Sequence, residues 1–219
     1  MFIDQDDLRE TSPCPGCPHM SYMRIFNASP MPNTSIDVYL NTVLIASDVD
    51  YGEFTPYIPL AEGTYNVSVF PYGKKTGALE TETLTIKGRS IYTLVFSGQP
   101  SDFSIDDYLE PKVSIPQGKA MIRFAHLSPD APVVNLTLSS GDVLFSDVEY
   151  EDLTDYREIS PGKYTLQLRV PGSSQVVLNV PNALFKAGKY YTIYVVGLVS
   201  GNPPLKMLLP LDGNSYIKL

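Results

Sequence analysis

The sequence predicts an all-β protein made of two tandem immunoglobulin-like antiparallel β-sandwich domains. Three features predict it: a repeat of domain size, apolar residues recurring with a period of two, and turn-forming residues at short intervals. Small β-barrels are the alternative closure of the same strands.

The repeat fixes the organisation. Arg24-Ile25-Phe26-Asn27-Ala28-Ser29-Pro30 recurs as Arg123-Phe124-Ala125-His126-Leu127-Ser128-Pro129, an offset of 99 residues. The same offset carries Asp48 onto Asp147, Tyr51 onto Tyr150, Tyr57 onto Tyr156, Tyr65 onto Tyr164, Tyr92 onto Tyr191 and Gly98 onto Gly197. A period this long is a domain, not a solenoid unit.

Within each copy the pattern is that of strands with one buried face. Ile36, Val38 and Leu40 alternate with Asp37 and Tyr39; Tyr65, Val67 and Val69 alternate with Asn66 and Ser68; Tyr164, Leu166 and Leu168 alternate with Thr165 and Gln167. Ser29-Pro30, Glu62-Gly63, Tyr72-Gly73, Lys87-Gly88, Pro161-Gly162 and Pro171-Gly172 are turn signals. In the first copy strands are expected near 22–27, 35–40, 43–46, 54–59, 64–70, 79–86 and 90–97.

The domain boundaries follow. Residues 1–20 form an N-terminal arm that is polar and then rich in Pro and Cys, 21–98 the first sandwich, 99–118 a linker, and 119–219 the second sandwich. The linker holds Pro100, Pro111 and Pro116 and the acids Asp102, Asp106, Asp107 and Glu110; Asp102–Leu109 is expected to make a short helical turn.

Composition excludes several classes. The net charge is −8 and the longest basic run is Lys74-Lys75, so a nucleic-acid partner is not expected. No apolar stretch is long enough to span a bilayer, so no membrane span is expected. The start, with Asp4, Asp6, Asp7 and Glu10, lacks the basic and apolar regions of a Sec signal peptide.

Ile122-Arg123-Phe124-Ala125-His126-Leu127-Ser128-Pro129-Asp130-Ala131-Pro132 resembles the opening signature of the DUF4397 domain, and Ile36-Asp37-Val38-Tyr39 its following strand. Ala61-Glu62-Gly63-Thr64-Tyr65 and Tyr191-Thr192-Ile193-Tyr194-Val195-Val196-Gly197 are similar to its later landmarks. The resemblance implies a tandem bacterial module with no assigned function, at the cell surface or in a spore envelope, with the cytoplasm as the alternative. The first copy departs from the signature: Asn27 stands for the His, and Met31-Pro32-Asn33 for Asp-Ala-Pro.

The candidate sites are few. Cys14-Pro15-Gly16-Cys17 lacks the strand-to-helix setting of a redox motif. With His19 it supplies three of the four ligands a structural zinc needs, so a metal there would be shared across chains. A cross-link through Cys14 and Cys17, or two inert thiols, are the other readings. His126, Ser128 and Asp130 have the residue types of a hydrolytic triad, against a histidine satisfied by its own turn. Arg24 and Arg123 are expected to pair with Asp48 and Asp147 within each copy. The recurring tyrosines read as core or sandwich-edge packing, against sugar stacking. No catalytic residue, cofactor or resident metal is therefore expected. The chain is read as a non-enzyme, a structural or adhesive module whose partner is protein, itself included, through the arm. A glycan- or peptide-binding module using sandwich-end loops is the alternative, and a hydrolase stands third.

Overall fold

The computed structural model describes residues 19–31, 34–173 and 175–219. The first copy contains β1 (Met20–Asn27), β2 (Ile36–Leu40), β3 (Val43–Val49), β4 (Ile58–Ala61), β5 (Gly63–Pro71), β6 (Glu80–Ile86), β7 (Ile91–Ser97) and β8 (Ser104–Leu109). The second contains β9 (Ala120–Leu127), β10 (Val134–Leu138), β11 (Val143–Val148), β12 (Arg157–Ile159), β13 (Gly162–Arg169), β14 (Val176–Phe185), β15 (Tyr190–Val196) and β16 (Lys206–Leu208). Each copy is a sandwich of two open four-stranded sheets, β4-β1-β7-β8 over β3-β2-β5-β6 and β12-β9-β15-β16 over β11-β10-β13-β14. None of these sheets closes into a barrel. Pairing is antiparallel except that β1 lies parallel to β7, and β9 to β15.

The two sandwich cores form as the alternation requires. Ile36, Val38, Val67 and Val69 meet Met23, Ile25, Leu94 and Phe96 in the first; Val134, Leu136, Leu166 and Leu168 meet Ile122, Phe124, Ile193 and Val195 in the second. A third apolar cluster lies between the copies: Phe26, Ala28, Val95 and Tyr108 against Ala125, Leu127, Tyr194 and Val196. The sheets β4-β1-β7-β8 and β12-β9-β15-β16 thus pack on each other, and the molecule has four sheet layers. Every residue of β7, β9 and β15 is buried because both faces of these strands are covered.

The segment expected to be a linker is partly strand. β8 pairs antiparallel with β7, from Tyr92 opposite Leu109 to Ser97 opposite Ser104, and no helical turn forms there. The backbone decides the matter. Gly98 turns at φ 81 with a Cβ position 2.2 Å from the Asp102 carbonyl oxygen, and Gly197 turns at φ 91 with one 2.3 Å from the Pro204 oxygen. Only glycine fits either turn, and each folds the following chain back as an edge strand. β8 carries Asp106 and Asp107 because an edge strand tolerates acids and uses them against edge-to-edge association.

The two arginines do not pair with Asp48 and Asp147. Arg24 donates from Nε to Thr93 Oγ1 at 2.9 Å, from Nη1 to the Leu211 oxygen at 2.8 Å and from Nη2 to Asp212 Oδ1 at 3.1 Å. Arg123 mirrors the first two of these bonds, donating to Thr192 Oγ1 at 2.8 Å and to the Leu109 oxygen at 2.7 Å, while its buried Nη2 has no hydrogen-bond partner among the described residues. Each arginine therefore reaches the end of the other copy. Asp212 also accepts from Tyr156 and Thr192, while Glu110 accepts from Tyr57, Thr93 and the Asn214 amide. Burial, and then the Asp212 carboxylate, push the Glu110 carboxyl above its usual range. Asp48 and Asp147 recur for a backbone reason. They sit at φ 58 and 53, where β3 and β11 slip register against β2 and β10. Asp tolerates that left-handed conformation better than most residues.

Arg24→Met removes the cation paired with the buried Asp212 carboxylate and should cost about 3–5 kcal/mol in urea unfolding. Adding Asp212→Asn should recover part of that loss. Burial and then Glu151 raise the Asp106 pKa from 3.8 to about 6. The folded state then holds a proton that the unfolded chain releases, so stability falls as pH rises from about 4 through 6. Asp106→Asn should melt above the wild type at pH 7.5, and the gap should close towards pH 4.

Candidate functional site

His126, Ser128 and Asp130 lie at one turn but do not form a nucleophile–base pair. Ser128 is fully buried and its Oγ donates to the Gly197 oxygen at 2.7 Å, as Ser29 Oγ does to Gly98 at 2.6 Å. His126 Nδ1 accepts the Ser128 backbone N–H at 3.3 Å, which leaves Nε2 as the donor to the Pro132 oxygen at 3.1 Å. Burial lowers the His126 pKa, which favours this neutral tautomer at pH 7. Asp130 accepts the Val199 and Ser200 amides at 2.7 and 3.0 Å, and so tethers the loop after β15. In the first copy Asn27 likewise supplies one acceptor and one donor, the acceptor to the equivalent N–H and the donor to a different carbonyl. Its Oδ1 accepts the Ser29 N–H at 3.2 Å and its Nδ2 donates to the Val49 oxygen at 2.9 Å. An amide and a neutral imidazole each supply one acceptor and one donor, which explains the exchange of His for Asn between copies.

The recurring tyrosines are committed to structure. Tyr65 and Tyr164 donate to the carbonyls four residues earlier, Ala61 and Ser160, at 2.9 and 2.8 Å. Tyr92 and Tyr191 hydroxyls accept the Lys87 and Lys186 amides at 3.2 and 3.0 Å. Tyr57 and Tyr156 bond the buried carboxylates between the copies. Tyr51 lies under Lys206, its ring centre 4.2 Å from Nζ.

Cys14 and Cys17 lie outside the described residues, as do the acids Asp4–Asp7. His19 is described, and its Nδ1 stands 3.6 Å from Glu62 Oε1. Among the described residues no group of three His, Cys, Asp or Glu side chains is placed to hold a metal. No described helix is long and apolar enough to cross a membrane.

With the inner sheets buried, the outward surfaces are the outer sheets and the loops at their ends. An open cavity of about 480 Å³ lies at one end of the outer sheet of the second copy, lined by Asn135, Thr137, Ser139, Arg169 and Gly172 among others. At the matching positions of the first copy, Tyr39 opposite Ser68 and Phe70 opposite Asp37 form an edge-to-face pair with ring centres 5.6 Å apart. Thr137 opposite Gln167 and Arg169 opposite Asn135 replace them in the second. Sequence reasoning did not single out Tyr39 and Phe70. Their signal was present in the alternation, since both fall on the outward parity of their strands while being apolar.

The sequence profile described as "Domain of unknown function (DUF4397)" matches residues 21–137 and 138–216. The border between the matches falls inside β10, whereas the structural repeat restarts at β9. No curated protein matches the chain. Solved structures similar to the chain include the following three. One is a family CBM26 module, CBMbc of Eubacterium rectale Amy13K, in complex with maltoheptaose. It is 10% identical, with 89% of this chain and 99% of that one covered and a TM-score of 0.28. Another is the Bacillus anthracis TIE protein, 12% identical over 86% of this chain and 34% of that one, with a TM-score of 0.27. The third is described as alpha-glucan binding by a streptococcal virulence factor, 12% identical over 90% and 99%, with a TM-score of 0.26. Likenesses at this level bear on no individual residue.

The His–Asn equivalence is testable. His126→Asn should keep most of the stability, because an amide serves the same donor and acceptor. His126→Ala leaves the buried Ser128 N–H unbonded and should cost about 1–3 kcal/mol in urea unfolding.

Proposed function

Since the chain belongs to the DUF4397 family, as two tandem copies of the domain, we propose that it is a non-catalytic structural or adhesive module of a bacterial cell-surface or spore layer. One observation carries the reading: the inner sheets of the two copies are buried against each other, so the repeat makes a rigid block with two outer sheets facing away from each other. A rigid block that presents opposed faces suits a building unit. The side chains with catalytic chemistry support it too, because His126 and Ser128 spend their hydrogen bonds on turn backbone.

Assembly then runs through the arm. Its two thiols, Cys14 and Cys17, cross-link a neighbouring subunit where the compartment is oxidising. A second reading, glycan or peptide binding by sandwich-end loops, is supported by the cavity around Asn135, Thr137 and Arg169.

The test is non-reducing electrophoresis of the full chain, a Cys14→Ser/Cys17→Ser variant and a chain starting at Met20, with fractionation of cells through growth and sporulation. The expected result is covalent oligomers from the full chain alone, and a tagged chain in the envelope or spore fraction. Three monomers with equal melting temperatures, or a cytosolic pool at every stage, would overturn it.

A further inference from the structure

The outer sheet of the first copy differs from the rest of the surface. In the register of β5 with β6, the outward positions are Thr64, Asn66, Ser68 and Phe70 on β5, and Thr81, Thr83 and Thr85 on β6. The parity is fixed by the core, since Val67, Val69, Leu84 and Ile86 are the buried alternates. It is also fixed by the outward hydrogen bond from Thr81 Oγ1 to Ser68 Oγ at 3.3 Å. Thr64, Asn66, Thr81, Thr83 and Thr85 are exposed. On the neighbouring strand Tyr39 stands opposite Ser68, and beyond it Leu44, 45% exposed, stands opposite Tyr39.

The face therefore has two halves. One half is a ladder of hydroxyls and an amide, which both donate and accept. The other is apolar: Leu44, Tyr39 and Phe70, the two half-buried rings edge to face. No charged side chain occupies the outward positions of β5 or β6 on a chain whose net charge is −8. The outward acid of β2, Asp37, is buried and spent on the Ser47 hydroxyl and the Asp48 and Gly73 amides. The matching face of the second copy carries Lys163 and Arg169 instead. The two copies share a fold and have diverged at this surface, so the fold alone does not require the uncharged face.

We propose that the outer sheet of the first copy binds an uncharged polysaccharide chain, laid across Tyr39 and Phe70 with its hydroxyls on the Thr–Ser–Asn ladder. Sugar rings have an apolar face that packs on aromatic rings and a rim of hydroxyls that pair with neutral donor–acceptor groups. The absence of charge selects against acidic glycans and against peptides bound through charged side chains. From Thr81 to Thr85 the ladder runs about 13 Å at the rise of a strand, and from β2 to β6 it spans about 10 Å. A face of this size takes a short stretch of a long chain, so binding gains from many modules on one polymer. The inference deepens the adhesive reading and rests on it, since it names what the module adheres to.

The test is native affinity electrophoresis of the full chain in gels containing amylopectin, hydroxyethylcellulose or xyloglucan, with alginate and heparin as charged arms. At least one uncharged polysaccharide should retard the wild type and the acidic ones should not. Tyr39→Ala/Phe70→Ala and, separately, Thr83→Glu should each weaken the retardation at least tenfold. Thr83 is exposed, so that variant should melt with the wild type and keeps the test independent of folding. Gln167→Ala, on the face of the second copy, should leave retardation unchanged. Retardation by none of the uncharged polymers, or undiminished retardation of the Thr83→Glu variant, would overturn the proposal. So would a concentration-dependent dimer in sedimentation that the same substitutions abolish, since the face would then be an interface between two copies of this chain. Arm-dependent oligomers that persist without retardation would refute this inference and leave the assembly reading standing.

Discussion

Two guanidiniums have been taken out of water between two β-sheets, and the architecture depends on how they are satisfied. Arg24 and Arg123 leave their own sandwiches and bond the chain ends of the opposite copy, Leu211 and Asp212 in one direction and Leu109 in the other. The desolvation of such groups is costly, and hydrogen bonds to the opposite copy offset part of it. The exchange therefore specifies one docking of the copies, with the tails after β8 and β16 as its fixed points. Phe26 and Phe54, stacked at 3.9 Å, and Tyr194 beside both fill the space around it.

This docking sets where function can lie. A tandem repeat joined by a free linker would keep four sheet faces and a cleft. Here two of the faces are lost to the joint, and the catalytic-looking residues near it serve turns and network. Among the described residues, the broad faces that remain open are those of the two outer sheets. Those are also the places where the copies differ: Tyr39 against Thr137, Phe70 against Arg169. Positions that both copies keep, such as Tyr57 and Tyr156 or Ser29 and Ser128, belong to the shared frame. Recurrence within the chain thus marks structure, and divergence marks the surfaces free to specialise.

The repeat, the strand pattern and the turn residues by themselves determined that the chain is two sandwiches, because strand alternation and turn chemistry are local. The turn at His126 was also legible, since a His–x–Ser–Pro segment can satisfy its ring within a few residues. The partners of Arg24 were not. Asp48 matched it in recurrence, but Asp212 lies 188 residues away and joins it only through the docking of the copies. The strand β8 was hidden behind Asp106, Asp107 and flanking prolines, which read as loop although an edge strand accepts them. The runs of β7 and β15, apolar on both faces except at Thr93, Ser97 and Thr192, did carry the message that both faces are covered, but a run of that kind names no partner for the second face. Only the tertiary structure decided that the partner is the other copy, because burial of a second sheet face is set by long-range packing and by which charges must be paired there.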